Sequence, residues 1–183
     1  DLPKGLQLAA ILVREDIRDV IVTEKYNALD QLPPGFRIGT SSLRRRCQIA
    51  HLRPDLEIRD IRGNVGTRLR KLDSGTYDAL ILAAAGMLRL GLADRIRGYL
   101  PVDTLLPAIG QGALGLEIRD SDERILEIIR PLDHPASHTC VLAERALSRR
   151  LNGGCHSPVA ALAELQQGQL SLRALVGSVD GAR

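Results

Sequence analysis

The segment Asn152-Gly153-Gly154-Cys155 places a thiol directly after two glycines. Glycine allows turned backbone conformations that other residues avoid, whereas core cysteines normally lie within a strand or on a helix face. A thiol on such a turn has little side-chain cover, so it is a candidate nucleophile or attachment point. The pattern leaves one alternative open, a buried loop thiol. Cys155 is therefore the first residue for which the sequence indicates a chemical role.

Arginine supplies 22 of the 25 basic residues, although the formal net charge is only +3. The planar guanidinium can bind a carboxylate or a phosphate through two hydrogen bonds, which the lysine ammonium cannot do. The alternative is that most of these arginines are solvated surface residues. Four arginines cluster at turns and helix starts where backbone amides also point outward, which favours anion binding for them: Arg44, Arg45, Arg62 and Arg68.

Length and composition exclude several classes of protein. A chain of 183 residues allows one large domain or two modest ones. Phe and Tyr together number only four and Trp is absent, which argues against the aromatic platforms of single-strand binders, so no nucleic-acid partner is expected. No apolar run is long enough to span a bilayer, and no membrane partner is expected. Three widely spaced cysteines indicate no disulfide framework, which predicts a cytoplasmic protein.

The apolar pattern predicts an α/β fold. A buried strand is expected over residues 6–13, and a regular β-α-β-α-β unit over residues 36–83. Its first helix starts at Ser41 or Ser42 and ends before Pro54. After a loop-rich stretch through Pro107, we expect a strand over 114–118, helices over 122–130 and 135–151, and strands near 159–163 and 170–176. The β-α-β-α-β order predicts a parallel sheet with right-handed crossovers.

Ligands of such sheets bind beyond the carboxyl ends of the strands, at the helix N-termini. Two polar segments fall at these predicted edges. One contains Thr40, Ser41 and Ser42, and the other contains Gly63 and Asn64. Together with the neighbouring arginines, they predict an anion-binding pocket at one edge of the sheet.

Six runs, in this order along the chain, resemble the porphobilinogen deaminase (hydroxymethylbilane synthase) family. The combination is specific, although no single run would be. The runs are GTSSLRR at 39–45, RGNVGTR at 62–68, YDALILA at 77–83, AIGQGA at 108–113, AERA at 143–146 and LNGGC at 151–155. The resemblance covers essentially the whole chain. It implies a transferase of tetrapyrrole (heme) synthesis that joins porphobilinogen units, with loss of ammonia, into hydroxymethylbilane.

The resemblance also implies roles for individual residues. Cys155 would carry a dipyrromethane cofactor through a thioether. Every pyrrole bears an acetate and a propionate, which accounts for the arginines. The cofactor would be held by Thr40, Ser41, Ser42, Arg44 and Arg45, and the substrate by Arg62, Gly63, Asn64, Arg68 and Arg89. The expected partner is the small molecule porphobilinogen, and the expected state is a monomer.

The catalytic aspartate of the family belongs to a His-Ser-x-Lys-Asp run that would lie upstream of residue 1. Leu2-Pro3-Lys4-Gly5 corresponds to the segment after that run, so Asp1 is not assigned the role. We therefore expect a fragment with no catalytic carboxylate of its own, inactive by itself. Its fold is expected to be periplasmic-binding-protein-like, followed by the start of a small α+β domain. The predicted division is 1–15 with 108–131 as the remainder of domain 1, 16–107 as domain 2, and 132–183 as an incomplete domain 3.

Two other hypotheses compete for the same residues. A non-catalytic anion-binding module of the periplasmic-binding-protein type needs the arginines and helix N-termini but no thiol on a Gly-Gly turn. His134 and His138 are spaced as metal ligands on a helix would be, but Pro135 places His134 outside the helix and no third ligand is evident. We therefore expect no metal. Cys47 and Cys140 lie on predicted helices and are expected to be core residues.

Overall fold

The computed structural model describes residues 2–151, 157–178 and 180–181. Cys155, with Gly153 and Gly154, lies outside the described residues. Nine strands and five α-helices of the described part follow one another along the chain: β1 Leu6–Ile11, β2 Asp19–Val22, β3 Arg37–Gly39, α1 Leu43–Leu52, β4 Glu57–Arg59, α2 Val65–Asp73, β5 Ala79–Ala83, α3 Ala84–Arg89, β6 Gly98–Leu100, β7 Gly115–Arg119, α4 Glu123–Ile129, α5 Pro135–Arg150, β8 Val159–Gln166 and β9 Gln169–Val176.

The predicted β-α-β-α-β unit is confirmed as β3-α1-β4-α2-β5. Strand β3 pairs in parallel with both β4 and β5. Each long helix of the unit starts at the polar residue that its sequence provides. Ser42 caps α1 by accepting from the Arg45 amide, and Asn64 caps α2 by accepting from the Thr67 amide at 2.9 Å. The caps bring the first turns of both helices to the carboxyl ends of β3 and β4.

Two strands that the sequence did not predict complete this sheet, whose order is β4-β3-β5-β2-β6. Strand β2 pairs antiparallel with β5 on one side and with β6 on the other. The sheet is therefore mixed, and the stretch predicted to be loop-rich contains β6. At four and three residues, these strands are too short to show a period of their own. Because β2 runs against β5, the first residue of β2 reaches the same edge as the last residue of β5.

Hydrophobic core residues cover both faces of the five-stranded sheet, because its apolar strands must be buried on both sides. Alternate residues of β2 point to opposite faces: Ile21 packs with Ile49 of α1, and Val20 packs in the cluster that contains Leu69 of α2. These clusters hold α1 and α2 on opposite faces, with the start of each helix at the same edge.

Two further sheets are two-stranded. β1 pairs antiparallel with β7, and β8 pairs antiparallel with β9. Strand β1 ends at Ile11, two residues before the predicted end, and Val13 is exposed. Each of the three sheets falls within one of the predicted segments 1–15 with 108–131, 16–107 and 132–183, while the domain division itself stays a prediction.

Within the part of the chain that the structure describes, no helix is both long and apolar enough to cross a membrane. Cys47 and Cys140 are buried free thiols, as expected. Burial raises the pKa of both thiols.

Candidate functional site

Asp19 is the centre of a buried charge cluster at the sheet edge. The residue is inaccessible to solvent, and its carboxylate accepts from Arg44 Nη1 at 2.7 Å and from Arg45 Nε and Nη2 at 3.0 and 2.7 Å. Gln111 Nε2 adds a fourth hydrogen bond at 3.0 Å. The first turn of α1 supplies both arginines, and the antiparallel strand β2 brings the aspartate to them.

Arg44 and Arg45 belong to the first turn of α1, at the sheet edge where the sequence predicted an anion-binding pocket. Both are buried on the inner face of α1, together with Cys47, Gln48 and Ile49. Buried charges must be paired and hydrogen-bonded, and Asp19, which the sequence did not indicate as a site residue, fulfils that need. Backbone carbonyls accept further guanidinium protons, Leu106 O from Arg44 and Ile81 O from Arg45.

The cluster nevertheless carries more positive than negative charge. Burial acts to raise the pKa of Asp19, but the charges of Arg45 and Arg44 outweigh it and hold this pKa below its usual range. Burial lowers the pKa of Arg44, and the like charge of Arg45 adds to that effect. Two guanidiniums share one carboxylate, so one unit of buried positive charge has no anionic partner in the cluster. Such a site favours an anion.

One atom of the cluster lacks any partner among the described residues. It is the Nε of Arg44, which is buried and makes no hydrogen bond. An unsatisfied buried donor costs about 1–3 kcal/mol, and a charged donor of this kind is suited to a carboxylate oxygen.

Arg44 lines a cavity of about 970 Å³. Its walls come from the start of α1, the 108–113 turn, the β1–β7 sheet, α5 and the first residues after the undescribed segment 152–156. The lining mixes aliphatic with polar and charged side chains: Leu8, Ile11, Ile109, Val141 and Val159 with Ser42, Arg44, Glu117, Arg145 and Arg149. The lining therefore offers both apolar surface and positive charge to a ligand.

The three hydroxyls at the end of β3 hold the backbone of this edge. Thr40 is buried, and its Oγ1 accepts from the Ser42 amide at 3.2 Å. The Ser41 hydroxyl donates to Ile61 O and accepts from Ile61 N, which ties the two edge loops together. The Ser42 hydroxyl accepts from the Arg45 amide at 3.4 Å. Of the three residues, Ser42 also lines the cavity.

The second predicted loop lies beside the cluster. Gly63 has a φ of +114°, a conformation that favours glycine, and its carbonyl accepts from Arg68 Nε at 2.8 Å. Burial lowers the pKa of Arg68, and the like charge of Arg45 lowers it further. Arg62 is exposed, and Arg89 donates to Gly112 O at 2.7 Å from the end of α3. The structure thus joins Arg44 and Arg45 through Asp19, while Arg68 contacts its own loop at Gly63 and Arg89 contacts the neighbouring turn.

A second buried ion pair joins α5 to the same region, and the sequence reasoning did not identify it. Glu144, fully buried, accepts from Arg14 Nη1 and Nη2 at 2.7 and 3.0 Å. It also accepts from the amides of Gly110 and Ala163 at 2.6 and 2.9 Å. Because its carboxylate accepts four hydrogen bonds, Glu144 has a structural role in the 143–146 run. The only available signal was that this charged residue sits on the apolar face of a helix.

The histidines considered as metal ligands have other roles. His134 caps α5 by accepting from the Ser137 amide, and His138 Nδ1 contacts Asp133 Oδ1 at 2.7 Å. No group of three His, Cys, Asp or Glu side chains in the described ranges is arranged to hold a metal ion. A second cavity, of about 470 Å³, includes Asp73, Asp78 and Arg95 in its lining. These charges are already paired, Arg95 with Asp73 and Asp78 with Arg37.

The solved structures that align with this chain include three solute-binding proteins. A lipoprotein of Bacillus subtilis described as methionine-binding aligns with a TM-score of 0.47 and 12% identity, covering 70% of this chain and 61% of its own. An arginine-specific periplasmic binding protein of Salmonella typhimurium gives 0.41 and 13%, covering 79% and 62%. A Bordetella pertussis solute receptor that binds pyroglutamic acid gives 0.44 and 15%, covering 81% and 47%. The chain spans about three fifths of the length of the first of these structures.

Family models match nearly the whole sequence. Residues 1–127 match the model described as porphobilinogen deaminase, dipyromethane cofactor binding domain. Residues 138–183 match the model described as porphobilinogen deaminase, C-terminal domain. The two matches occur in the order of the motifs and include the Asp19 cluster in the first and Cys155 in the second. The chain belongs to the porphobilinogen deaminase family.

Proposed function

We propose that this chain contributes the pyrrole-binding site of a hydroxymethylbilane synthase. In this proposal, porphobilinogen units condense one after another, with loss of ammonia, onto a dipyrromethane tethered to Cys155. The observation that carries the proposal is that Arg44, whose buried Nε has no hydrogen-bond partner among the described residues, lines the 970 Å³ cavity. A buried guanidinium with a free donor and a surplus of positive charge behind it fits a carboxylate arm of a pyrrole.

The residues present fit the dipyrromethane group. When bound, it supplies an electron-rich pyrrole carbon to which the next pyrrole is joined. Arg44 would hold one of its carboxylates, and Ile11, Ile109 and Val141 would pack against the ring faces and exclude water from them. Ser157, the first described residue after 152–156, lines the same cavity. That position supports a tether at Cys155, whose own place in the structure stays a prediction.

Arg45 and Asp19 act behind the cavity wall. Asp19 holds the two guanidiniums in fixed orientations, so the donors of Arg44 are preorganised before a ligand arrives. Arg68 is fixed beside the loop at Gly63, because its Nε donates to Gly63 O. We propose that Arg62, Arg68 and Arg89 meet the carboxylates of incoming porphobilinogen.

Proton transfer to the leaving amine is not assigned to a residue of this chain. The family resemblance implies an aspartate upstream of residue 1 for that step, and we propose that residues 1–183 alone do not turn over porphobilinogen. A positioned acid contributes about two to four decades of rate. The cytoplasmic location and the monomeric state stay predictions.

Intact mass of the protein produced from its own reading frame tests the proposal. We expect an increment of two pyrrole units, a positive acid Ehrlich reaction and consumption of porphobilinogen. Cys155→Ser should abolish all three, whereas Cys140→Ser, the matched control at a buried thiol, should keep them. An unmodified mass and no turnover, with retained binding of small carboxylates, would contradict the enzyme and favour the anion-binding module. Turnover by residues 1–183 alone would contradict the assignment of the catalytic acid.

A further inference from the structure

Helix α5 presents two arginines to the large cavity. Its lining residues Val141, Arg145, Ser148 and Arg149 stand at positions i, i+4, i+7 and i+8, which form one face of an α-helix. Arg150 follows immediately but is not part of the lining. The side of α5 that borders the cavity therefore carries two guanidiniums one turn apart, in addition to Arg44 from α1.

These two guanidiniums differ from most arginines of the protein. Ten arginines pair with a carboxylate in the described part of the chain, and neither Arg145 nor Arg149 is among them. Among the described lining residues, three are cationic and one, Glu117 of β7, is anionic. The cavity wall therefore has an excess of positive charge that comes from two separate elements.

The helix dipole accounts for only one of the two arginines. Basic side chains near a helix C-terminus interact favourably with the helix dipole, and Arg149 and Arg150 both occupy the last turn of α5. The dipole does not account for Arg145, which lies before that last turn. Nor does it explain why Arg149 borders the cavity while Arg150 does not.

We propose that Arg145 and Arg149 form a carboxylate-binding pair, which holds acid side chains of the pyrrole chain from a different wall of the cavity than Arg44. The inference rests on the proposed function and adds a second set of contacts to it. A linear chain of pyrroles carries two carboxylates on every ring, so a single anchored guanidinium neutralises only a small part of its charge. Two arginines spaced by one helical turn can bind carboxylates of the same or adjacent rings.

A non-covalent binding assay tests the role of Arg145 and Arg149 independently of the covalent attachment at Cys155. The protein from its own reading frame, carrying Cys155→Ser, is titrated with porphobilinogen and with 2-(aminomethyl)pyrrole, which lacks the carboxylates. The variants are Arg145→Gln, Arg149→Gln and their combination, and Arg150→Gln is the control on the same helix. Thermal unfolding of each variant confirms that the fold is retained.

For porphobilinogen, we expect the Kd to rise about tenfold in Arg145→Gln and somewhat less in the more exposed Arg149→Gln, because a hydrogen bond to a charged group is lost. Arg150→Gln should stay within about twofold of the parent. The Kd for 2-(aminomethyl)pyrrole should not change in any variant.

Three results would contradict the proposed role of Arg145 and Arg149. The first is an equal Kd for porphobilinogen in the Arg145, Arg149 and Arg150 variants, and the second is an equal loss of affinity for porphobilinogen and for 2-(aminomethyl)pyrrole. The third is that the Cys155→Ser protein without further changes does not bind porphobilinogen. If the protein that keeps Cys155 carries no covalent pyrrole increment, while Arg145-dependent binding is observed, the result would contradict the proposed enzyme and still support the pair.

Discussion

Gln111 Nε2 donates a hydrogen bond of 3.0 Å to Asp19 Oδ1, across 92 positions of sequence. The amide oxygen of the same side chain accepts from Arg44 Nη2 at 3.3 Å, and the backbone carbonyl accepts from Arg14 Nε at 2.8 Å. Arg14 in turn binds Glu144 of α5. Gln111 therefore connects the charge cluster beside the cavity with the ion pair that holds α5.

Replacing Asp19 with Asn should destabilise the protein strongly. The change leaves two buried guanidiniums without their anion, and breaking a buried pair in this way costs about 3–5 kcal/mol. Asp16→Asn is the control, because Asp16 pairs with the partly exposed Arg18 and should cost less than about 1 kcal/mol. Urea unfolding of both variants gives the two free energies. Similar losses would show that Asp19 is not the residue that stabilises the cluster.

The stability of the protein should fall in acid partly through Asp19. Its folded-state pKa lies below the ordinary value of 3.8, so the unfolded state binds the proton more readily than the folded state does. The contribution is fully present above about pH 5 and is lost as the pH falls through the folded-state pKa. The difference in unfolding free energy between wild type and Asp19→Asn should therefore shrink between about pH 6 and pH 3, a range that spans this ordinary value. A constant difference across that range would contradict the pairing.

Arg45→Lys should impair loading of the pyrrole cofactor and lower stability. The lysine ammonium cannot reproduce the two hydrogen bonds that Arg45 makes to Asp19 together with its third to Ile81 O. We expect a loss of about 1–3 kcal/mol and a reduced fraction of modified protein by intact mass. The control is Arg46→Lys, since Arg46 pairs with the exposed Asp60. An equal fraction of cofactor-modified protein in both variants would contradict the proposed role of the cluster.

Gly112→Ala should be more harmful than Gly110→Ala, although both glycines have a positive φ. A Cβ at Gly112 would approach Glu15 O to 2.5 Å, whereas one at Gly110 meets no atom within 4 Å. Left-handed backbone alone costs about 1–2 kcal/mol for a residue with a Cβ, so Gly110→Ala sets the reference. The measurement is thermal unfolding, and equal shifts in Tm would show that the contact with Glu15 imposes no constraint.

Much of the site scaffold was predictable because local rules determine it. Ser42 and the 63–64 turn precede apolar helical patterns, and the structure starts α1 and α2 there. The parallel order of β3, β4 and β5 followed from the alternation of strands and helices. These rules were sufficient to bring the two edge loops together, as the contact between Ser41 and Ile61 shows.

The charge cluster was not predictable by those rules. Asp19 stands before three apolar residues in a four-residue strand, and nothing in that short run indicates its direction or its neighbours. Sequence spacing also gave no sign that Arg44 and Arg45 are buried, because arginine is normally exposed. Their burial depends on a carboxylate 25 and 26 positions away, which only the antiparallel pairing of β2 delivers.

The reversed strand has a consequence for the order of folding. β2 cannot pair until β5 and β6, which follow it much later in the chain, have been placed on either side of it. Contacts between such distant segments form slowly, since loop closure precedes the energetic gain. Before that step Asp19 has no burial and the two arginines remain hydrated. The charge cluster is thus assembled with the last pairings of the sheet, so we expect refolding to show the native environment of Arg44 and Arg45 only when the five-stranded sheet is complete.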